Sequence, residues 1–98
     1  MLTGKQRAYL RGLANDIVPI FQVGKNGIEE NFLKQVTQAL EKRELIKIKV
    51  LENSGLDTRE TSDLICKSIR CEGVQAIGNK MVLYKKSKNK PKIELPTK

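Results

Sequence analysis

Between Ile17 and Leu51 the hydrophobic pattern changes period twice, and that double change leaves the chain few architectures. Ile17-Val18-Pro19-Ile20-Phe21-Gln22-Val23 is a β-branched and aromatic run. Ile28, Phe32, Val36, Ala39 and Leu40, joined by Leu33, then recur at helical spacing, with Glu30 and Lys34 one turn apart on the outer side. Leu45-Ile46-Lys47-Ile48-Lys49-Val50-Leu51 alternates, placing Ile46, Ile48 and Val50 on one face and Lys47 and Lys49 on the other. Strand, helix and strand in this order predict a parallel pair joined by a right-handed crossover. Pro19 has no amide proton, so it belongs at an edge or near the start of its strand.

The flanking segments complete the pattern. Thr3 is placed to cap a first helix running to about Asn15, with Leu2, Gln6, Tyr9, Leu10, Leu13 and Ala14 on its inner arc. Arg7 and Arg11 lie one turn apart on the opposite side, flanked by Lys5. Gly12, costly inside a helix, is expected to mark a close helix contact. After the turn signal Asn53-Ser54-Gly55, Asp57 or Thr58 can cap a third helix through about Cys71, with Leu64, Ile65, Ser68 and Ile69 inward. Its charges nearly cancel, which reads as structural. Val74 to Ile77 and Met81 to Lys85 flank a Gly78-Asn79 hairpin turn. The fold class is thus α/β: a single compact domain over 1–86, in αβαβαββ order, with a four-stranded mixed sheet and helices mainly on one face. From Ser87, lysine, asparagine and two prolines predict a basic disordered tail over 87–98.

Charge narrows the partner. Nineteen Lys plus Arg against eleven Asp plus Glu give a net charge of +8, half of it on residues 86–98. Such an excess favours a polyanion through counterion release. No stretch has the length of a signal peptide's apolar core or of a membrane span, so a cytoplasmic protein without a membrane partner is expected. Cys66 and Cys71 then read as reduced thiols, five apart and not on one helix face, and with no histidine they form no zinc site.

The chemistry concentrates between the first strand and the second helix, at Gly24-Lys25-Asn26-Gly27. Glycine at 24 and 27 permits positive φ and close backbone approach. The unpaired amides at the start of the next helix, together with its dipole, favour an anion such as phosphate, with Lys25 beside it. A tight turn with Lys25 and Asn26 solvated at its tip accounts for the same four residues.

Several stretches together resemble the CRM domain (chloroplast RNA splicing and ribosome maturation) in its stand-alone bacterial, YhbY-like form. They are Leu2-Thr3-Gly4-Lys5-Gln6-Arg7 with Tyr9-Leu10-Arg11, Gln22-Val23-Gly24-Lys25-Asn26-Gly27, Glu44-Leu45-Ile46-Lys47-Ile48-Lys49-Val50, and Gly78-Asn79 before Val82-Leu83-Tyr84. The resemblance implies a fold similar to the C-terminal domain of translation initiation factor three. It also implies RNA binding, with ribosomal RNA in large-subunit precursors as the partner and a part in ribosome assembly. By position, the RNA-binding set it implies is Gly24, Lys25, Asn26 and Gly27, with Lys5, Arg7 and Arg11 of the first helix and Lys47 and Lys49 of the strand. The chain departs from the family's frequent histidines at Asn15 and Arg43, which leaves charge-based roles intact.

Two other functions compete. An enzyme is disfavoured: the Walker pattern is missing at Gly24 to Ile28, and no carboxylate pair beside the loop could hold magnesium, so no catalytic residue, metal or cofactor is assigned. A basic module that meets ribosomal proteins is the other alternative, and a monomer is expected. Aromatic residues are few, which favours recognition of RNA backbone and shape over base stacking.

Overall fold

A computed structural model describes residues 2–97. Its elements are α1 (Gly4–Ala14), β1 (Phe21–Val23), α2 (Glu30–Arg43), β2 (Leu45–Val50), a 3-10 turn (Glu52–Ser54), α3 (Thr58–Ile69), β3 (Glu72–Ile77) and β4 (Lys80–Tyr84). The strands form one mixed sheet in the order β1-β2-β4-β3, with β1 parallel to β2 and the remaining pairs antiparallel. The α/β domain in αβαβαββ order is therefore the one the sequence predicts.

Local chemistry sets the boundaries. The Thr3 hydroxyl accepts the Gln6 N–H at 3.1 Å while the Gln6 side chain accepts the Thr3 N–H at 3.0 Å, a reciprocal cap that starts α1. Asp57 caps α3 by accepting the Glu60 N–H at 3.0 Å. That helix stops at Ile69, short of Cys71, because Arg70 adopts a left-handed φ of 58° and turns the chain back. β1 is shorter than predicted: of the lead-in Ile17–Ile20, Ile20 alone joins the ladder, donating to Lys47 O at 3.0 Å. Pro19 thus precedes an edge strand, where a missing donor does no harm.

The sheet is covered on both faces, unlike the one-sided arrangement expected. On the first face, Ile46, Ile48, Val50, Met81 and Leu83 pack against Val36 and Leu40 of α2 and Ile65 of α3. On the second face, Leu45, Val82 and Tyr84 pack with Val74 of β3 and with Leu2, Leu10 and Ala14 at α1. Residues 81–84 of β4 are all buried, so this strand is a continuous apolar run rather than an amphipathic one.

Two helical stripes are also rotated from their predicted positions. On α1, Tyr9 and Leu13 are 44% and 39% exposed, because the strip of sheet beneath the helix takes Leu10 and Ala14. On α3, Thr61, Ser62 and Ile65 face inward while Leu64 is 57% exposed. The small Ser62 seats over Gly73, whose missing Cβ would otherwise lie 3.6 Å from the Ser62 hydroxyl. Gly12 marks no close contact: it is exposed, and a Cβ there would meet nothing within 4 Å.

The largest departure is the C-terminal segment. Residues 87–97 are seated on the domain rather than disordered; Lys98 lies outside the described residues. Glu44, fully buried at φ 67°, receives the N–H groups of Ser87, Lys92 and Ile93 at 2.8, 2.6 and 2.7 Å on its carboxylate. Glu41 accepts the Lys88 and Asn89 N–H groups at 3.0 and 3.1 Å and the Ser87 hydroxyl. Ile93 and Leu95 then pack onto the second face, and Gln6 Nε2 donates to Pro96 O at 3.0 Å. Burial would raise the Glu44 carboxyl, but the three amides together hold it below its ordinary value of 4.5.

Candidate nucleic-acid interface

One end of the sheet gathers most of the predicted loop chemistry. At that end the Leu51 N–H bonds Val23 O at 2.9 Å and the Val50 N–H bonds Asn79 O at 2.6 Å, so the exit of β1, the exit of β2 and the β3–β4 hairpin lie side by side. Gly24–Gly27 leaves from Val23 as a turn closed by the Gly27 N–H on Gly24 O at 2.9 Å. Gly27 has φ +70°, which favours glycine there. Gly24 is in ordinary backbone space, with an added Cβ in normal contact with Leu51 at 3.5 Å, so only one of the two glycines is required by conformation. Lys25 and Asn26 are exposed at the tip. Two residues separate the turn from α2, whose N-cap residue Glu29 makes no side-chain capping bond.

Register places Lys49 beside this turn. Gln22 pairs with Lys49, Lys49 with Lys80, and Lys80 with Ile77, so these four side chains form one cross-strand row on the second face. Neither α1 nor the C-terminal segment packs on that row: Gln22, Lys80 and Ile77 are exposed and Lys49 is half-buried. Lys49 opposite Lys80 is a like-charge pair, which disfavours the empty sheet and favours an anion over it.

Lys47 has a different environment. Its Nζ donates to Ala14 O at 3.0 Å, so it caps the C-terminal end of α1. Lys85 does the same at α3, donating to Ile69 O at 2.9 Å.

The first-helix cations lie apart from the glycine turn, on the side of β3. Arg7 Nε donates to Gly73 O at 3.2 Å, and Arg7, Arg11 and Arg59 line one cleft of about 640 Å³ along β3. Lys5 is exposed on the first turn of α1. Two cations of these surfaces, Lys80 and Arg59, are missing from the sequence-based set. The near-neutral charge of α3 hid Arg59, and only strand register could have paired Lys80 with Lys49. In the C-terminal segment the backbone N–H groups of Lys88, Lys90 and Lys92 are held by Glu41, Ser87 and Glu44, while their side chains are exposed. Among the described residues there is no grouping of three or more potential metal ligands, and no helix is long and apolar enough to cross a membrane.

These features define a small mixed-sheet α/β domain with a basic glycine turn at one sheet end. The chain belongs to the CRS1 / YhbY (CRM) domain family, which matches residues 2–85. It is 51% identical over 96 residues to the probable RNA-binding protein YqeI of Bacillus subtilis, covering 98% of this chain and 100% of the relative. It is 42% identical over 101 residues to a protein of Haemophilus influenzae named RNA-binding protein, covering 99% and 97%. The solution structure of SAV1595 from Staphylococcus aureus superposes with a TM-score of 0.81 at 52% identity, covering 98% of this chain and all of that one.

Proposed function

We propose that this chain is an RNA-binding protein that grips the phosphate backbone of folded ribosomal RNA in large-subunit precursors and assists their assembly. The observation that carries this reading is the row Gln22, Lys49 and Lys80, left uncovered on the sheet beside the Gly24–Gly27 turn. Lys25 and Asn26 meet the backbone at the tip, and the turn's glycines let it approach. Lys49 and Lys80 continue the positive surface across the sheet. Arg7 and Arg11, with Arg59 and the nearby Lys5, hold a second stretch of the same strand or an adjacent helix of the RNA.

Lys47 belongs to the fold in this reading, because its ammonium is engaged by α1. Phosphate contacts position a protein without reading sequence. Phe21 and Phe32 are edge-to-face at 5.8 Å beside the core and Tyr84 is buried, which leaves Tyr9 as the exposed aromatic ring. Shape recognition by a monomeric cytoplasmic protein without cofactor or catalysis fits that surface.

The test is RNA affinity across a salt series for wild type and a variant carrying Lys25→Asp and Asn26→Asp, with large-subunit fragments and an unrelated structured RNA. Roughly tenfold weaker binding with a shallower salt slope is expected of a correctly folded variant. Unchanged affinity and slope would remove the turn from the binding surface.

A further inference from the structure

The two cysteines, expected from the sequence to be reduced thiols that do not share a helix face, meet in the structure. α3 ends in a left-handed Arg70, after which the Cys71 N–H bonds Cys66 O at 3.2 Å. This six-residue closure is the 6→1 bond of a Schellman-like helix end, with the Arg70 N–H also on Cys66 O, and such an end sets the side chains at positions 1 and 6 against each other. Here those side chains are thiols: Cys71 Sγ lies 3.5 Å from Cys66 Sγ. Both are free. Their surroundings differ, since Cys71 is buried in the core while Cys66 is half-exposed on the wall of the arginine cleft.

We propose that Cys66 and Cys71 are a peroxide-oxidisable dithiol, a reversible modification site in which Cys66 reacts first and Cys71 resolves it. The Cys71 thiol donates to the Cys66 sulfur, which favours the Cys66 thiolate; burial, Asp63 and Glu72 oppose it and the Ser62 hydroxyl assists, with a net downward shift. Cys71 is pushed up by that same hydrogen bond and by burial, so it keeps its proton while Cys66 is charged.

The steps balance. The Cys66 thiolate attacks hydrogen peroxide; an S–O bond forms, the O–O bond breaks, and hydroxide leaves with its electron pair, becoming water on protonation. Cys66 is now a neutral sulfenic acid. That removes the thiolate whose hydrogen bond and charge held the Cys71 proton. Cys71 then attacks the sulfenic sulfur; the S–S bond forms, the S–O bond breaks, and the Cys71 proton leaves with hydroxide as water. Two thiols are oxidised by two electrons and the peroxide is reduced to two waters. The left-handed turn already brings the two sulfurs within 3.5 Å, against about 2.05 Å in a disulfide.

The experiment uses the full chain treated with hydrogen peroxide, then intact mass and tryptic mapping without reductant. The expected product is a monomer lighter by about 2 Da, with peptides 60–67 and 71–80 linked and restored to free thiols by dithiothreitol. A Cys71→Ala variant, checked for folding by circular dichroism, should instead gain oxygen at Cys66, trapped by dimedone. Wild type that gains oxygen at Cys66 without the linkage, forms intermolecular dimers, or resists peroxide would overturn the proposal. Each readout is independent of RNA binding.

Discussion

The second face of the sheet has two ends, and they use the same kind of residue for different purposes. Lys47 and Lys49 leave β2 on one face, two residues apart. Lys47 lies where α1 and the C-terminal segment cover the sheet, and its ammonium is bound to a helix carbonyl. Lys49 lies where the cover ends, opposite Lys80 and beside the glycine turn. At the covered end even a glutamate is drawn into the fold, because Glu44 satisfies three backbone amides. The difference between these two lysines is one of hydrogen-bond partners: Lys47 has an internal carbonyl acceptor, whereas Lys49 faces Lys80 across the strand pair and is the one the proposed function assigns to the RNA backbone.

The largest effect should come from the covered end. Glu44→Gln turns one of the two accepting carboxylate oxygens into a donating amide nitrogen, which leaves at least one of the three backbone N–H groups unpaired, and should lower unfolding free energy by about 2 kcal/mol, read from urea denaturation, with proteolytic release of residues 87–97. The same carboxylate fixes the pH response. Its folded pKa is lowered, so its contribution is complete above the ordinary value of 4.5 and is lost as pH falls below it toward the folded value. Wild-type stability should therefore fall below that pH, and Glu44→Gln should flatten this part of the acid limb. Retention of the segment in the variant would break the contrast between the two ends.

Lys47→Ala should lower stability by roughly 0.3–1 kcal/mol through loss of the α1 cap, measured by denaturant midpoint. Lys49→Ala should keep or slightly raise stability, since it relieves the pairing with Lys80. The smallest effect sharpens the picture of α1: Gly12→Ala, with open space at the Cβ, should stabilise by about 0.5–1 kcal/mol, seen as a higher midpoint with RNA affinity unchanged.

Much of this contrast lay beyond sequence reading, for physical reasons. Period changes, the Thr3 and Asp57 caps and the Gly78-Asn79 turn are local, and they made the order of elements legible. The seating of segment 87–97 is not legible in its sequence, because Glu41 and Glu44 hold it through backbone amides, which any sequence possesses. Cys66 and Cys71 meet only because Arg70, a non-glycine residue, takes a left-handed turn. The Gly24–Gly27 motif was legible as a turn, whereas Arg59 and Lys80 joined their basic surfaces only through packing and register.

The most direct test titrates one large-subunit RNA fragment against wild type, Lys47→Ala and Lys49→Ala over a range of salt concentrations, below the melting transition of each protein. The account predicts weaker binding and a shallower salt slope for Lys49→Ala alone, with Lys47→Ala matching wild type. Equal losses in both variants, or a loss confined to Lys47→Ala, would contradict it.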